Sequence, residues 1–317
     1  GVKGMSRTED DYAETMFVAS SHDVIMFYTT RGRAYRLKGY EIPEGSRTSK
    51  GTNIVNILPL ENGEKVSAMI QVPKDDEGMY LCMATRKGLI KRSSIDLFRN
   101  TRRNGIIAVT LREDDELAWV KLTSGNDDLI VATKKGMCIR FNENDARPLG
   151  RAASGVKAIT LNEGDEVIGM TIMKEEGKLL TVSETGYGRI SENNNYRTQS
   201  RGGKGLKNYH IEKYGEVAAI SEINEDEDII LISQDGIIIR IPASAVRLCA
   251  RPSKGVKVMK LSEGDKVVTL STTDHDENEV NGEVEDDGSA NEGAGDTSGD
   301  SPDTPIPDDN AETSTEE

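Results

Sequence analysis

The chain has 317 residues, a formal net charge of −15, 4% aromatic residues and one tryptophan, Trp119. The charge is unevenly placed: residues 274–317 hold 17 Asp or Glu and no Lys or Arg, leaving 40 basic against 38 acidic residues in 1–273. That split keeps nucleic acid open as a partner of the body, whereas the want of a long apolar run excludes a membrane helix, and with no signal peptide the cytoplasm is the expected compartment.

Taken from its first residue, the chain repeats. One set of glycines closes a polar turn: Gly32, Gly88, Gly136, Gly186 and Gly236. A second set follows basic residues: Gly51, Gly105, Gly155, Gly205 and Gly255. The first set precedes the second by 19, 17, 19, 19 and 19 residues, and the second precedes the next member of the first by 37, 31, 31 and 31. Gly1 lies 31 residues before Gly32 and shares the phase of the second set, which makes Tyr12–Ala19 a strand. The units run at about 1–70, 79–122, 127–173, 177–223 and 227–273, with an insertion near Pro73-Lys74-Asp75-Asp76.

Within a unit the pattern predicts four short strands. In the fifth, Asp228–Ser233 and Gly236–Pro242 read as a hairpin. A loop over Ala243–Lys254, an alternating strand over Val256–Leu261 and a last strand over Val267–Leu270 follow. β-Branched runs bounded by Gly and Asp are strand signals, and helical periodicity is nearly absent. Four strands per unit of about 50 residues predict an all-β ring of propeller-like blades. Two strands after Gly1 and five units of four make 22, against 24 for a six-bladed ring, so the first blade is expected to be truncated. Residues 1–273 form the ring in this reading.

The loop before each second-set glycine is basic. The clusters are Arg47 with Lys50, Arg102 with Arg103, Arg151 with Lys157, Arg201 with Lys204, and Arg251 with Lys254. Arg197, Lys207 and Lys257 add to them. Recurrence at one phase places the charges on one rim, one cluster per blade. A rim charged at regular steps can track a curved phosphate backbone, and the lack of a base-reading helix predicts sequence-independent contact with double-stranded DNA. A second recurrent arginine, at Arg36, Arg92, Arg140 and Arg240, falls within strands and fits carboxylate pairing as well as DNA contact.

The sharpest motif is Gln199-Ser-Arg201-Gly202-Gly203-Lys204-Gly205. Adjacent glycines let a backbone approach a phosphate, and Arg201 and Lys204 flank them. The motif resembles the Gln-Arg-Arg-Gly-Gly-Arg-Gly box of the C-terminal DNA-wrapping domain of bacterial DNA gyrase A, with Ser200 and Lys204 at two of its Arg positions. Tyr35-Arg36-Leu37-Lys38 and Tyr40-Glu41-Ile42-Pro43 are also similar to that family. Gly1-Val-Lys-Gly-Met resembles the residues that follow the main box, so Gln199–Gly205 would be a second copy. The resemblance covers residues 1 to about 273 and implies a six-bladed β-pinwheel that wraps DNA. It also implies a role in ATP-dependent negative supercoiling, with gyrase B and a second gyrase A polypeptide as partners. ATP and magnesium would be bound elsewhere, and no cofactor is expected in this chain. The corresponding C-terminal domain of topoisomerase IV and a protein-interaction propeller are the alternatives.

Nothing points to catalysis in the chain itself. His22, His210 and His275 show no nucleophile or metal-ligand spacing, and Cys82, Cys138 and Cys249 each sit in an apolar run, as buried reduced thiols do. Residues 274–317, rich in Asp, Glu, Gly, Ser, Thr and Pro, are expected to be disordered. They serve either as a solubilising tail or as a competitor lying against the basic rim.

Overall fold

A computed structural model describes residues 19–46 and 50–288. The first unit forms β1 (Val24–Thr29), β2 (Arg33–Lys38) and β3 (Val66–Val72), and the second β4 (Tyr80–Thr85), β5 (Leu89–Ser94), β6 (Ile106–Ile107) and β7 (Leu117–Thr123). The third comprises β8 (Asp128–Thr133), β9 (Met137–Asn142), β10 (Val156–Lys157) and β11 (Val167–Met173). The fourth comprises β12 (Lys178–Ser183), β13 (Tyr187–Glu192), β14 (Leu206–Lys207) and β15 (Val217–Glu222). The fifth has β16 (Glu227–Ser233), β17 (Ile238–Pro242), β18 (Val256–Lys257) and β19 (Val267–Asp274). One helical turn, α1 (Ile211–Tyr214), interrupts the pattern.

A hydroxyl closes each hairpin. Thr29, Thr85, Thr133, Ser183 and Ser233 accept from the backbone N–H four residues on, at 3.0–3.3 Å, while the turn glycine between them takes a positive φ. This local bond is available only to Ser, Thr, Asn or Asp at that position. It explains why each turn reads Thr or Ser, two residues, then Gly.

The units become five blades, of strand order β3-β1-β2-β6, β7-β4-β5-β10, β11-β8-β9-β14, β15-β12-β13-β18 and β19-β16-β17. Successive inner strands β3, β7, β11, β15 and β19 pack side by side around a shared cavity of about 740 Å³. The sequence predicted six blades with the first truncated. The described residues instead form five, and the sheet around β1 has all four strands because β6 of the second unit completes it. Most of the expected Tyr12–Ala19 strand, and Gly1 to Met5, lie outside the described residues.

The outermost strand of each four-stranded blade thus comes from the unit that follows. The alternating stretch Val256–Leu261 was expected to be a full strand of its own blade. It contributes only Val256 and Lys257, which pair with Gly188 and Tyr187 of the fourth blade. The backbone then turns inward: Val258 and Met259 both donate to the Gly186 carbonyl, at 2.9 and 3.1 Å, and their side chains are buried between blades. Two residues per edge suffice because packing, rather than ladder length, holds the connection.

Both faces of each blade are covered. Leu180 and Val182 of β12 pack towards β16, while Leu179, just before them, packs towards Ile130 and Ala132 of β8. A strand buried on both faces needs an apolar residue at every position, which is why the hairpins read as continuous Leu, Ile and Val runs. Cys82 and Cys138 lie in these layers as free thiols, and burial pushes both up to about 12. Cys249 departs from the expectation: it sits on a rim loop and is half-buried.

Disorder from Asp274 onward was also expected. Residues 274–288 instead have defined positions: Asp274 ends β19, and Asn281 and Gly282 donate to the Arg240 carbonyl of β17. The lone apolar residues of that stretch explain it, since Val284 packs on the core of the last two blades. Residues 289–317 lie outside the described residues.

Candidate nucleic-acid interface

The basic loops sit where strand order puts them, just before β6, β10, β14 and β18, at the outer edge of successive blades. Each of the last three is held there by the same bond. Leu149, Gln199 and Cys249 donate their N–H groups to Arg92, Arg140 and Ile190 of the neighbouring hairpin, at 2.8, 2.7 and 2.9 Å.

The arginine four residues before the glycine then reaches back to the previous loop. Arg151 donates to the Ile107 carbonyl at 3.3 Å, Arg201 to the Lys157 carbonyl at 2.6 Å, and Arg251 to the Lys207 carbonyl at 2.9 Å. The separation is 44 residues in all three. Arg201 and Arg251 add bonds to the carbonyls of Asp145 and Asn195, at 3.1 and 2.7 Å. These arginines therefore clip one loop to the next along the rim. They are half-buried, so their charge faces the surface while carbonyls fix their stems. A planar fork with several donors can do both.

Lysines carry the more exposed charge. Lys50, Lys157 and Lys204 are exposed, and Lys207, Lys254 and Lys257 are half-buried. Arg102, Arg103 and Arg197 are exposed as well. Arg47 lies outside the described residues. The glycines of the box-like motif have packing reasons. Gly202 donates to the Ala158 carbonyl at 2.9 Å, and Gly203 accepts from Thr160 at 2.9 Å. Gly205 has φ +77°, and a Cβ there would strike the Cys138 carbonyl. Only glycine lets β14 lie so close against β9.

Strand arginines have a different fate. Arg92 is buried against Glu143 at 3.2 Å and the Ala146 carbonyl at 2.8 Å. Arg140 pairs with Asp128 at 2.8 Å and Arg240 with Asp228 at 2.7 Å. Arg140 and Arg240 therefore pair within their own hairpins and Arg92 pairs across to the next unit, so three of the four recurrent strand arginines are committed to carboxylates, which leaves the rim charge to the loops.

Sequence reasoning overlooked two cations beneath the rim. Lys91 and Arg189, each three residues after a turn glycine, are fully buried without a carboxylate partner. Lys91 donates to the carbonyls of Ala108 and, at 2.6 Å, Arg151; Arg189 donates to those of Asn208 and, at 3.2 Å, Ser253. They tie the hairpin to the loops from below. Burial, with the nearby Arg151 charge adding to it, pulls Lys91 down to about 7. Their shared phase inside apolar runs was the available signal.

A ring of interlocked β blades with cations recurring along its outer edge defines the class: a propeller-like domain with a basic rim. The chain belongs to the family described as "DNA gyrase C-terminal domain, beta-propeller", which matches residues 23–73, 80–124, 127–172, 177–224 and 227–274. It is 48% identical over 153 residues to the DNA gyrase A polypeptide of Clostridium acetobutylicum, covering 48% of this chain and 18% of that protein. It is 46% identical over 154 residues to that of Halalkalibacterium halodurans, covering 49% of this chain and 18% of that protein. The chain thus spans a minor part of the length of these relatives. In fold it is similar to a solved DNA gyrase A C-terminal domain, with TM-score 0.69 and 26% identity over 82% of this chain and 89% of that one. It is also similar to the C-terminal domain of a DNA topoisomerase IV, with TM-score 0.77 and 21% identity over 86% and 85% of the two chains. At that identity the second likeness speaks to fold alone.

Proposed function

We propose that this domain binds duplex DNA along its outer rim and bends it, without catalysing a reaction itself. The observation that carries the reading is the arginine clip repeated at 44-residue separation in three consecutive loops. It holds cations at equivalent places on successive blades. Bending a site of 20–30 bp by 40–90° costs about 1–6 kcal/mol. One or two exposed ion pairs, worth about 0–1 kcal/mol each, cannot offset that; several loops releasing counterions together can.

Within the gyrase reading, the domain belongs to a gyrase A polypeptide that pairs with a second copy of itself and with gyrase B in the cytoplasm. The assembled enzyme uses the wrap to give ATP-driven strand passage its direction. ATP and magnesium are bound outside this chain. Among the described residues no helix is long and apolar enough to cross a membrane. The 46–48% identity to gyrase A polypeptides favours this reading over topoisomerase IV.

The test is topological. The domain is bound to relaxed circular DNA, the DNA is treated with a nicking-closing enzyme, and linking number is read at two salt concentrations. A linking-number change that fades at high salt supports wrapping. Binding without any change would reduce the function to DNA attachment.

A further inference from the structure

Two seams between successive blades are sealed by an arginine, and the next one is not. Arg92 and Arg140, at the same phase after a turn glycine, reach across to the following unit. Arg92 donates to the Ala146 carbonyl at 2.8 Å, and Arg140 to the Asn193 and Tyr196 carbonyls at 3.0 and 3.2 Å. Each also leans on the first residue of the strand beside it. The Arg92 guanidinium lies 4.5 Å from the Tyr80 ring centre, and Arg140 donates to Asp128 at 2.8 Å.

The fourth blade changes both positions together. Ile190 stands where the arginines stand, and Lys178 opens β12 where Tyr80 opens β4 and Asp128 opens β8. Ile190 has no group to donate to the Val246 carbonyl, the counterpart of those of Ala146 and Tyr196. What an arginine fills in the two earlier seams is here a cavity of about 380 Å³, lined by Lys178, Ile190, Ile223, Val246, Arg247 and Leu248 among others.

Charge decides what the cavity accepts. A guanidinium entering from solvent would meet Lys178 where the sealed seams offer a carboxylate or a ring face. An anion meets two cations, each now paired with a carboxylate: Lys178 with Glu225, whose side chain is 75% exposed, and Arg247 with Asp286 at 3.2 Å. Exposed pairs contribute little, so an incoming carboxylate can take the place of Glu225 while a hydrocarbon body covers the apolar wall.

We propose that the seam between the fourth and fifth blades binds a small organic carboxylate, its hydrocarbon body on Ile190, Ile223, Val246 and Leu248 and its carboxylate on Lys178. The volume falls within the range of small-molecule sites, where an apolar wall supplies contact and a few placed polar groups fix orientation. The site does not depend on the DNA-binding reading, because Lys178 and Ile190 belong to a blade hairpin and not to a rim loop.

Octanoate and octylamine share a hydrocarbon body and differ in charge, so both are titrated calorimetrically into the full 317-residue chain. Octanoate should bind saturably, and octylamine at least about tenfold more weakly. Lys178→Gln should weaken octanoate about tenfold, as loss of a charge-assisted hydrogen bond does. The double variant K178D/I190R rebuilds the aspartate and arginine of the third blade. It should abolish octanoate binding without lowering the melting temperature. Ala243→Leu fills the cavity from the opposite wall, where the counterparts Glu143 and Asn193 are larger and buried, and it decides the matter should the double variant melt early. Lack of saturable octanoate binding, equal binding of octylamine, or undiminished octanoate affinity in Lys178→Gln would each overturn the site. So would octanoate binding retained by a folded cavity-filling variant.

Discussion

The loops before Gly155, Gly205 and Gly255 and the loop before Gly105 present similar charge by different means. In the first three, an arginine is clipped to the preceding loop and buried cations brace two of them from below. In the last, Arg102 and Arg103 are exposed, and Ile107, half exposed, stands where the others place Lys157, Lys207 and Lys257. That loop is held from outside: Arg33 of β2 donates to the Asn104 carbonyl at 2.5 Å. A clipped cation has surrendered its rotamer freedom on folding, so DNA need not restrain it again; an exposed one loses that freedom on binding. The comparison makes the third to fifth units the stiff part of the track and the second an adjustable one.

The largest expected effect separates a glycine packed at the edge of a clipped loop from one in open space. Gly205→Val forces a β-branched residue to φ +77° against the Cys138 carbonyl. It should cost about 2–4 kcal/mol in denaturant unfolding. Gly51 has no atom within 4 Å of its Cβ position. Gly51→Ala should stay within about 0.5 kcal/mol of wild type. Equal losses at the two positions would end the distinction.

Next comes the arginine itself. Arg201→Ala removes bonds to the Lys157 and Asp145 carbonyls and should cost about 1–2 kcal/mol of stability, discounted for partial exposure, as well as DNA affinity. Arg102→Ala should leave the melting temperature unchanged and flatten the DNA salt slope by about 0.9. Paired thermal melts and salt titrations would read both. A stability loss confined to Arg102→Ala would reverse the assignment of clipped and free cations.

The smallest effect is expected where the end of the last blade is held, at the contact of His275 with Asp228, 2.6 Å apart. The Asp228 hydrogen bond raises His275, against a weaker opposing desolvation, while Asp228, despite its burial, is held low by bonds from His275 and Arg240. A raised histidine contributes in full below its unfolded value and loses that contribution as pH rises through the folded one. The melting difference between wild type and His275→Gln should therefore be present near about pH 5.5 and fall away as the pH rises above the ordinary histidine range. A difference that grows with pH would show that the contact of His275 with Asp228 does not depend on a protonated imidazole.

Much of this was legible beforehand. The glycine phases located the hairpins to within a residue or two, because the Ser or Thr that closes each turn acts over four residues of chain. The partners of Val256 and Lys257 were not legible, since a two-residue strand carries no register and finds its edge only once the previous blade is in place. The same holds for Arg201. Its recurrence at one phase marked it as part of a charged rim, but the carbonyl it clips belongs to a loop 44 residues earlier. Arg92 and Arg140 shared a phase with equal regularity and proved to be paired with carboxylates, Arg140 within its own hairpin and Arg92 across to the next unit.

The sequence by itself determined the repeat, the strand-rich unit and the basic loops, because turn closure, apolar runs and local charge act within a few residues of chain. The tertiary structure decided which cations are fixed and which stay free, how the blades interlock, and where residues 281–284 pack. Those outcomes depend on backbone carbonyls and edges that come together only when neighbouring blades pack, and no local pattern encodes the position of a partner in the next unit.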